Sequence, residues 1–565
     1  MERFDSVNVE VKINDVWVDL SSDVLASPEP RVNGMGLMGL TVQDRVGGAA
    51  TFTFALNNSP ANSVGTRGYY SPGRSGALSG WTTGLPVRLY FVYDGVYKQA
   101  FYGKILPNGI TVTPGIYGKQ DVRVECSNWF RDAQNRTIDL IGYETNLRSD
   151  AAISRVVTNM PTAPLAVDLQ AGTRTFPGVF DTTNKKTKGI AEIQKITMSE
   201  FGYCYLRGSH GTSNSVGGET LVYENRTNRY TNRTSITTIP KHSSESADFL
   251  LLETGDKVLL ETGSKIFLEA SQEAFFTESD IARMAVAYGN NFYNRAKLTS
   301  YPRKQDTSPV VLWTLEEPIQ INGFGTVSGI RGGFRDPNGK STSVAGVSMI
   351  SPVASTDYLA YANSDATGTN LTANLSVVAV YGTAEVEYSL TNTGATTMYV
   401  TTLQARGYGV YLYDTASVVY EDTNSIQTYG PMEVTIDMPY VADATNLFTF
   451  SNNLDRVLAE NGDYIITEDS NYLIHDDSAG IFDFLIPAEP RTEIESITFV
   501  ANRNKFNMMA FMALDAGSYI KLSETMTGIN SEYAYVINGY DFSIKPGGIV
   551  EWTPALLYTL DCPKV

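Results

Sequence analysis

Apolar and polar residues alternate with a period of two through most of this chain. VNVEVKI at 7–13, ATFTFAL at 50–56, LPVRLYFVY at 85–93 and VRVEC at 122–126 each put their apolar side chains on one side of an extended backbone, which predicts strands with one buried face. The Ser-, Gly-, Pro- and Arg-rich stretch 57–80 reads as a long loop between strands, of a length that marks a functional arm. Helical spacing is rare. Ser149 is placed to cap a helix whose apolar positions Ile153, Val156, Val157 and Met160 share a face and which Pro161 stops; a second helix spans 188–201, with Ile190, Ile193 and Ile196 on one side and Gly202 ending it. One helical turn is predicted at 277–282, before strands at 283–288 and 295–299. From 318 to 439 the pattern is almost purely β, with runs at 375–381, 384–390, 398–405 and 409–413 between Gly, Asn and Thr turns, the spacing of a sandwich. Further strands are predicted at 519–522 and 535–544.

Two blocks break the monotony with an eight-residue repeat. The first reads LLLETGDK at 250–257, VLLETGSK at 258–265 and IFLE at 266–269; the second reads VLAENGDY at 457–464, IITEDSNY at 465–472 and LI at 473–474. Each octad is a short apolar run followed by a polar turn, so strand, tight turn, strand is the physical reading, with Gly255, Gly263 and Gly462 supplying the positive φ a reversing backbone needs. Glu253, Glu261 and Glu460 hold the equivalent acidic position. Repeated carboxylates along one edge keep exposed strands from pairing with other chains. Each block precedes strands that resume a core, which suggests hairpin stacks inserted at equivalent points of two related domains.

At 565 residues, the length prior gives roughly three or four domains. Thirty-three Tyr, with abundant Thr, Val and Ile, support the β reading. Sixty-one acidic residues against 43 basic give a formal charge of −18, which repels phosphate. A nucleic-acid-gripping groove is thereby disfavoured, while a wall past which DNA slides is not. Cys126, Cys204 and Cys562 are few and far apart, so they read as reduced packing residues. The MERFD start lacks an apolar signal segment, and no run approaches the ~18 apolar residues of a membrane span, so the expectation is a chain made soluble in the cytoplasm.

Candidate chemistry is thin. GMGLMG at 34–39 matches the dinucleotide pattern, but PEP precedes it and the strand-like LTVQ follows, so a flexible or apolar loop is expected. NGKST at 338–342 has its upstream glycine, Gly333, one residue too far away for a phosphate loop and reads as a β-turn. His210, His242 and His475 are scattered in polar contexts, which leaves no zinc spacing and no triad histidine; all three are expected in surface loops. Carboxylates are so numerous that only separation in space identifies an acid–base pair. Arg226, Arg229 and Arg233 form a basic cluster, read as a local ion pair or subunit contact. No catalytic residue, metal ligand or cofactor site is predicted.

Several segments together resemble the baseplate hub and tail-tip proteins of tailed phages, siphophages in particular. FYGKILP at 101–107 with PGIYGKQDVRVECSNWF at 114–130 is similar to the closing hairpin of their first domain, and SEFGYCY at 199–205 with LVYENR at 221–226 to the helix-to-hairpin segment that follows. FRDP at 334–337, DATGTNLT at 365–372, LQARG at 403–407 and DTNSIQTYG at 422–430 resemble an inserted β region, and LDAGSYI at 514–520 with YVINGY at 535–540 the last barrel. The resemblance implies a mainly β, multidomain chain: a tube-like β-barrel domain at 1–145, a small α+β unit at 146–247, octad hairpins at 248–275 and 453–478, strands rejoining the core at 276–320, an inserted β-sandwich at 321–452 and a second tube-like domain at 479–565. It implies a virion tail protein, not an enzyme, assembled in the host cytoplasm as a homo-oligomer, trimer favoured over hexamer. Such a ring joins the tail tube or distal tail protein to tip or fibre proteins while DNA passes through its lumen unbound. The alternative is a receptor- or polysaccharide-binding or polysaccharide-degrading tail protein, since Tyr faces on the sandwich would stack on sugars.

Overall fold

The computed structural model describes residues 1–115, 119–138, 141–184, 186–211, 218–232, 235–243, 271–339, 344–442, 491–530 and 534–559. The N-terminal region forms β1 (Ser6–Ile13), β2 (Val16–Asp19), β3 (Arg31–Gly36), β4 (Thr51–Asn57), β5 (Pro86–Tyr93), β6 (Val96–Val112) and β7 (Asp121–Ser127). Period-two burial is complete along β5, where Val87, Leu89, Phe91 and Tyr93 all point inward. The strands lie in the order β3-β4-β7-β6-β5-β1-β2, and beyond β3 the sheet continues through Ala534–Lys545, Ile549–Thr559, Arg491–Val500 and Ile281–Asn290. The mainly β, multidomain class therefore holds, but the two end regions share one sheet. Its ladders close no ring among the described residues. The segment after β2 comes against β4 only through the isolated Val24–Leu56 bridge and a 2.8 Å bond from Leu25 N–H to Ala55 C=O.

Two glycines permit this union. Gly36 stands opposite Gly539 where β3 meets Ala534–Lys545. A Cβ on Gly36, whose φ is +76°, would fall 2.5 Å from the Asn538 carbonyl oxygen, and one on Gly539 would fall 2.3 Å from that of Met35. Gly36 of the 34–39 motif thus serves close strand approach. Gly34 and Gly36 lie inside a strand, not in the loop expected for them. Behind the sheet one core runs unbroken from Val9, Phe52 and Phe101 to Phe499, Phe542 and Trp552. The Lys505–Ala513 helix plugs it: the Phe511 ring lies 5.1 Å from Phe91 and 5.8 Å from Phe542, in edge-on geometry favoured by aromatic quadrupoles.

The α+β unit contains α1 (Trp129–Asn135), α2 (Ser149–Thr158), α3 (Gly189–Glu200) and a sheet of Tyr203–Arg207, Thr220–Glu224 and Ala166–Leu169. Ile153, Val156, Val157, Ile193 and Ile196 are buried as the spacing requires. Ser149 is the first residue of α2 and makes no capping bond, and α3 ends on Phe201, which itself takes the left-handed φ of +63° one residue before Gly202. Residues 277–280 reverse as a turn on the Asp280 carboxylate, which accepts from Thr277 N–H and Oγ; the next strand begins at Ile281, so no helical turn forms. Of the stretch 276–320, only the strands flanking that turn join the large sheet. Arg295–Ser300 lies between Ala416–Glu421 and Glu433–Met438 as a stem, and the strands at 303–321 pair with Met398–Leu412 in the sandwich. The second sandwich sheet, Thr326–Gly333, Glu385–Asn392 and Leu375–Tyr381, covers a core that includes Leu312, Val386, Tyr388 and Val400.

The loop between β4 and β5 is a folded arm. Buried Asp23 accepts from Ser63 N–H (2.7 Å), Ser63 Oγ (2.6 Å) and Tyr70 OH (2.6 Å), while Asn58 accepts from Tyr70 N–H. Tyr70 and Trp81 enter the main core. Asp23→Ala would strand three donors, at a cost of about 1–3 kcal/mol to the local fold. Trypsin should then cut at Arg67 and Arg74 before any other site, as read by mass spectrometry; cleavage no faster than in the wild type would refute this role for Asp23.

Candidate functional site

The octad residues Glu253, Gly255, Glu261, Gly263, Glu460 and Gly462 lie outside the described residues, as do Arg233, His475 and Cys562. The strands following the two blocks are neighbours: Ile281–Asn290 and Arg491–Val500 pair antiparallel, with Ile281 opposite Phe499. They are adjacent members of one sheet, which does not fit insertions at equivalent points of two separate domains.

What the structure brings together is a set of buried cations where the large sheet, the α+β unit and the stem meet. Arg45, on the loop after β3, is 2% exposed. Its Nε donates to Val42 C=O at 2.8 Å and its Nη1 to Phe201 C=O at 3.0 Å, while the guanidinium lies 3.5 Å from the Phe201 ring and 4.5 Å from that of Tyr203. The Arg229 guanidinium lies 3.5 Å from the same Tyr203 ring. It also pairs with Glu224 at 2.7 Å and donates to Asn538 Oδ1 on the C-terminal strand at 2.5 Å. Planar guanidinium suits both tasks, since it stacks on a ring face and still donates in its own plane. Burial holds Arg45 down to about 10, with the Arg229 charge pushing the same way, so it stays protonated at neutral pH. Arg226 pairs with buried Glu200 at 3.5 Å. Arg226 and Arg229 are thus local ion pairs rather than a nucleic-acid patch.

Sequence reading missed two further buried groups. Lys98 on β6 is 1% exposed, and its Nζ donates to Phe511 C=O (2.8 Å) and Leu514 C=O (2.5 Å) at the end of the Lys505–Ala513 helix, where a cation meets the negative pole of the dipole. Burial lowers it to about 8, opposed by the Asp515 charge. Glu219 receives the Trp129 N–H at the start of α1, and burial raises its carboxyl to about 8, with Asp132 adding to the effect. A lone lysine inside the alternating VYKQAF run was the available signal for Lys98; nothing local marks Glu219 or Arg45.

The remaining expectations resolve individually. Cys126 and Cys204 are buried thiols, pushed upward by burial. His210 is in a short strand paired with β6 opposite Lys98, not in a loop. Among the described residues no three His, Cys, Asp or Glu side chains are placed to hold a metal, and no described helix is long and apolar enough to cross a membrane. In the sandwich, Tyr388 and Tyr411 are buried and the outer side of Leu375–Tyr381 exposes Ser376, Val378 and Val380, while on the other sheet partly exposed Tyr361 and Tyr399 stand opposite each other. Partly exposed aromatics also gather on the outer face of the N-terminal sheet. There Arg88 lies 4.3 Å from the Trp17 ring and 5.2 Å from Tyr90, and pairs with Glu10 at 2.6 Å.

Arg229→Ala would remove the ion-pair partner of buried Glu224 and leave it only the Tyr205 hydroxyl, and should lower stability by about 3–5 kcal/mol. Calorimetry is the check, with an unchanged melting profile contradicting the junction's role. Glu219 has its carboxyl raised from 4.5 to about 8 on folding, so the stability from its neutral form is complete below pH 4.5 and lost as pH rises through 8. Lys98, lowered from 10.5 to about 8, acts in the other window, its penalty relieved as pH rises from 8 to 10.5. Glu219→Gln should therefore flatten the fall in melting temperature between pH 5 and 8 while leaving the alkaline rise intact. A fall as steep as in the wild type would refute the assignment.

No family model and no curated protein matches the chain. Among solved structures, a tail protein of Neisseria meningitidis MC58 aligns over 98% of this chain and 96% of its own, at 8% identity and a TM-score of 0.41. The 43 kDa tail protein of prophage MuSo2 from Shewanella oneidensis aligns over 98% of this chain and 98% of its own, also at 8% identity and a TM-score of 0.41.

Proposed function

We propose that this chain is a structural protein of a tailed-phage tail, a hub ring that joins the tail tube to the tip and lines the channel through which DNA leaves. The supporting observation is architectural. Both ends of the chain are locked into one long sheet over one core, with an α+β unit packed on it and a sandwich joined to them through a three-stranded stem. That is a frame built to hold other bodies in fixed positions, and it agrees with the resemblance of the segments at 101–130, 199–226 and 514–540 to hub proteins. An acidic chain of charge −18 suits a DNA channel, because a wall that repels phosphate lets the duplex slide. In this reading the ring is a trimer of copies, assembled in the host cytoplasm, and any wall-cutting activity belongs to another chain. Mass photometry of the purified protein, with mass spectrometry of purified virions, tests it. A defined small ring and a fixed low copy number per virion are expected; a stable monomer absent from virions would overturn it.

A further inference from the structure

The outer side of the N-terminal sheet carries a compact group of rings around one ion pair. Burial of Val9 and Val11 on β1, and of Val87, Leu89 and Phe91 on β5, turns Glu10, Arg88 and Tyr90 outward. The ladders set Glu10 opposite Arg88, Arg88 opposite Tyr102, and Val92 opposite Tyr97. Trp17 lies on β2 opposite Lys12, yet its ring leans across β1 and β5 to within 6.3 Å of Tyr102, edge-on. Tyr90 and Tyr97 are 6.4 Å apart with their planes 29° from parallel. Each of these rings is partly exposed.

The polar centre of the patch is held rigidly. Glu10 accepts from Arg88 Nε at 2.7 Å and from Tyr90 OH at 2.9 Å, and Arg88 Nη2 lies 2.6 Å from the same carboxylate. The guanidinium in turn stacks 4.3 Å from the Trp17 ring. Side chains fixed in this way lose little freedom when a ligand arrives. Charge is nearly balanced too. Lys12 pairs with Asp15 at 3.0 Å, which leaves Asp19, bonded to Ser21, as the one carboxylate of this face without a cation among the described residues. In a chain of charge −18 such a face is unusual.

Rings around a neutralised ion pair define the ligand. Phosphate would need surplus cations and a basic surface would need surplus carboxylates, and this face has neither. A partner protein would bring an apolar core, whereas every outward side chain of β1 is polar. A neutral sugar fits both parts: the C–H side of a pyranose rests on an electron-rich ring, and its hydroxyls bond to a planar guanidinium and carboxylate. We infer that the outer side of β2, β1, β5 and β6 binds a neutral oligosaccharide, with Trp17, Tyr90 and Tyr97 as stacking rings and the Glu10–Arg88 pair reading hydroxyls. The site is separate from the sandwich Tyr residues and does not depend on the ring reading.

A microarray of neutral and anionic bacterial-surface oligosaccharides, probed with the full chain, is the test, followed by calorimetric titration of the best-retained glycan. Retention of a neutral glycan is expected. Trp17→Ala and Tyr97→Ala should each weaken it about tenfold, the loss of one stacked ring, while Trp17→Phe keeps most of the binding and Tyr399→Ala on the sandwich changes nothing. Tyr97→Ala removes a single partly exposed ring, so its melting profile should match that of the wild type even if Trp17→Ala destabilises the sheet. An array that retains nothing, or only anionic glycans, overturns the site, as does binding that survives both alanine variants or disappears with Tyr399→Ala. A blank array together with failed tail assembly by Tyr97→Ala would overturn it in favour of a protein contact.

Discussion

Everything in this molecule depends on the ladder between β3 and Ala534–Lys545, which ties residues some five hundred positions apart at the Gly36–Gly539 crossing. No local interaction can form it, and closing so long a loop carries a large entropic cost. That cost is offset by the apolar surface buried when the two halves meet, above all the Phe91, Phe511, Phe542 and Trp552 rings. Once the ladder is made, the α+β unit, stem and sandwich are insertions into a single frame. Folding is expected to be slow for the same reason, since the defining contacts are the least local ones.

The buried cations settle how the inserted parts sit on that frame. Arg45 comes from the loop after β3, Arg229 from the α+β unit and Lys98 from β6, and each donates at least one hydrogen bond to a distant stretch of chain: Phe201, Asn538, and the Phe511–Leu514 turn. Arg303 does the same for the stem, donating to Asp181 of the α+β unit at 2.6 Å and to Pro439 C=O on the returning stem chain. A buried charge is costly unless its partners are in place, so such groups disfavour alternative dockings more than they add stability.

Local pattern made the local elements legible. Strands at 7–13, 50–56, 85–93 and 122–126 and the helices over 149–160 and 188–201 followed from periodicity, because each buries one face. The Lys505–Ala513 helix escaped because it is buried nearly all round: Met508, Met509, Phe511 and Met512 are all inside, so no amphipathic stripe exists to be read. Short α1 escaped because its seven residues bury only Trp129, Phe130 and Ala133, too few positions for a helical period to show. The union of the chain ends was invisible, since pairing between distant strands leaves no mark on either; only the glycines at 36 and 539 hint at it. Of the candidate site, Arg226 and Arg229 were found and correctly weighed as ion pairs, while Arg45 and Glu219 gain their character solely from what folds over them.

The structure presents a frame in which both ends of the chain share one sheet, and that frame is the core of the functional account. A cryo-EM map of the wild-type oligomer tests it directly. The account predicts a closed ring of three copies, each with Arg31–Gly36 paired to its own Ala534–Lys545. A monomer, or a map in which the two ends of the chain lie in separate sheets, would contradict it.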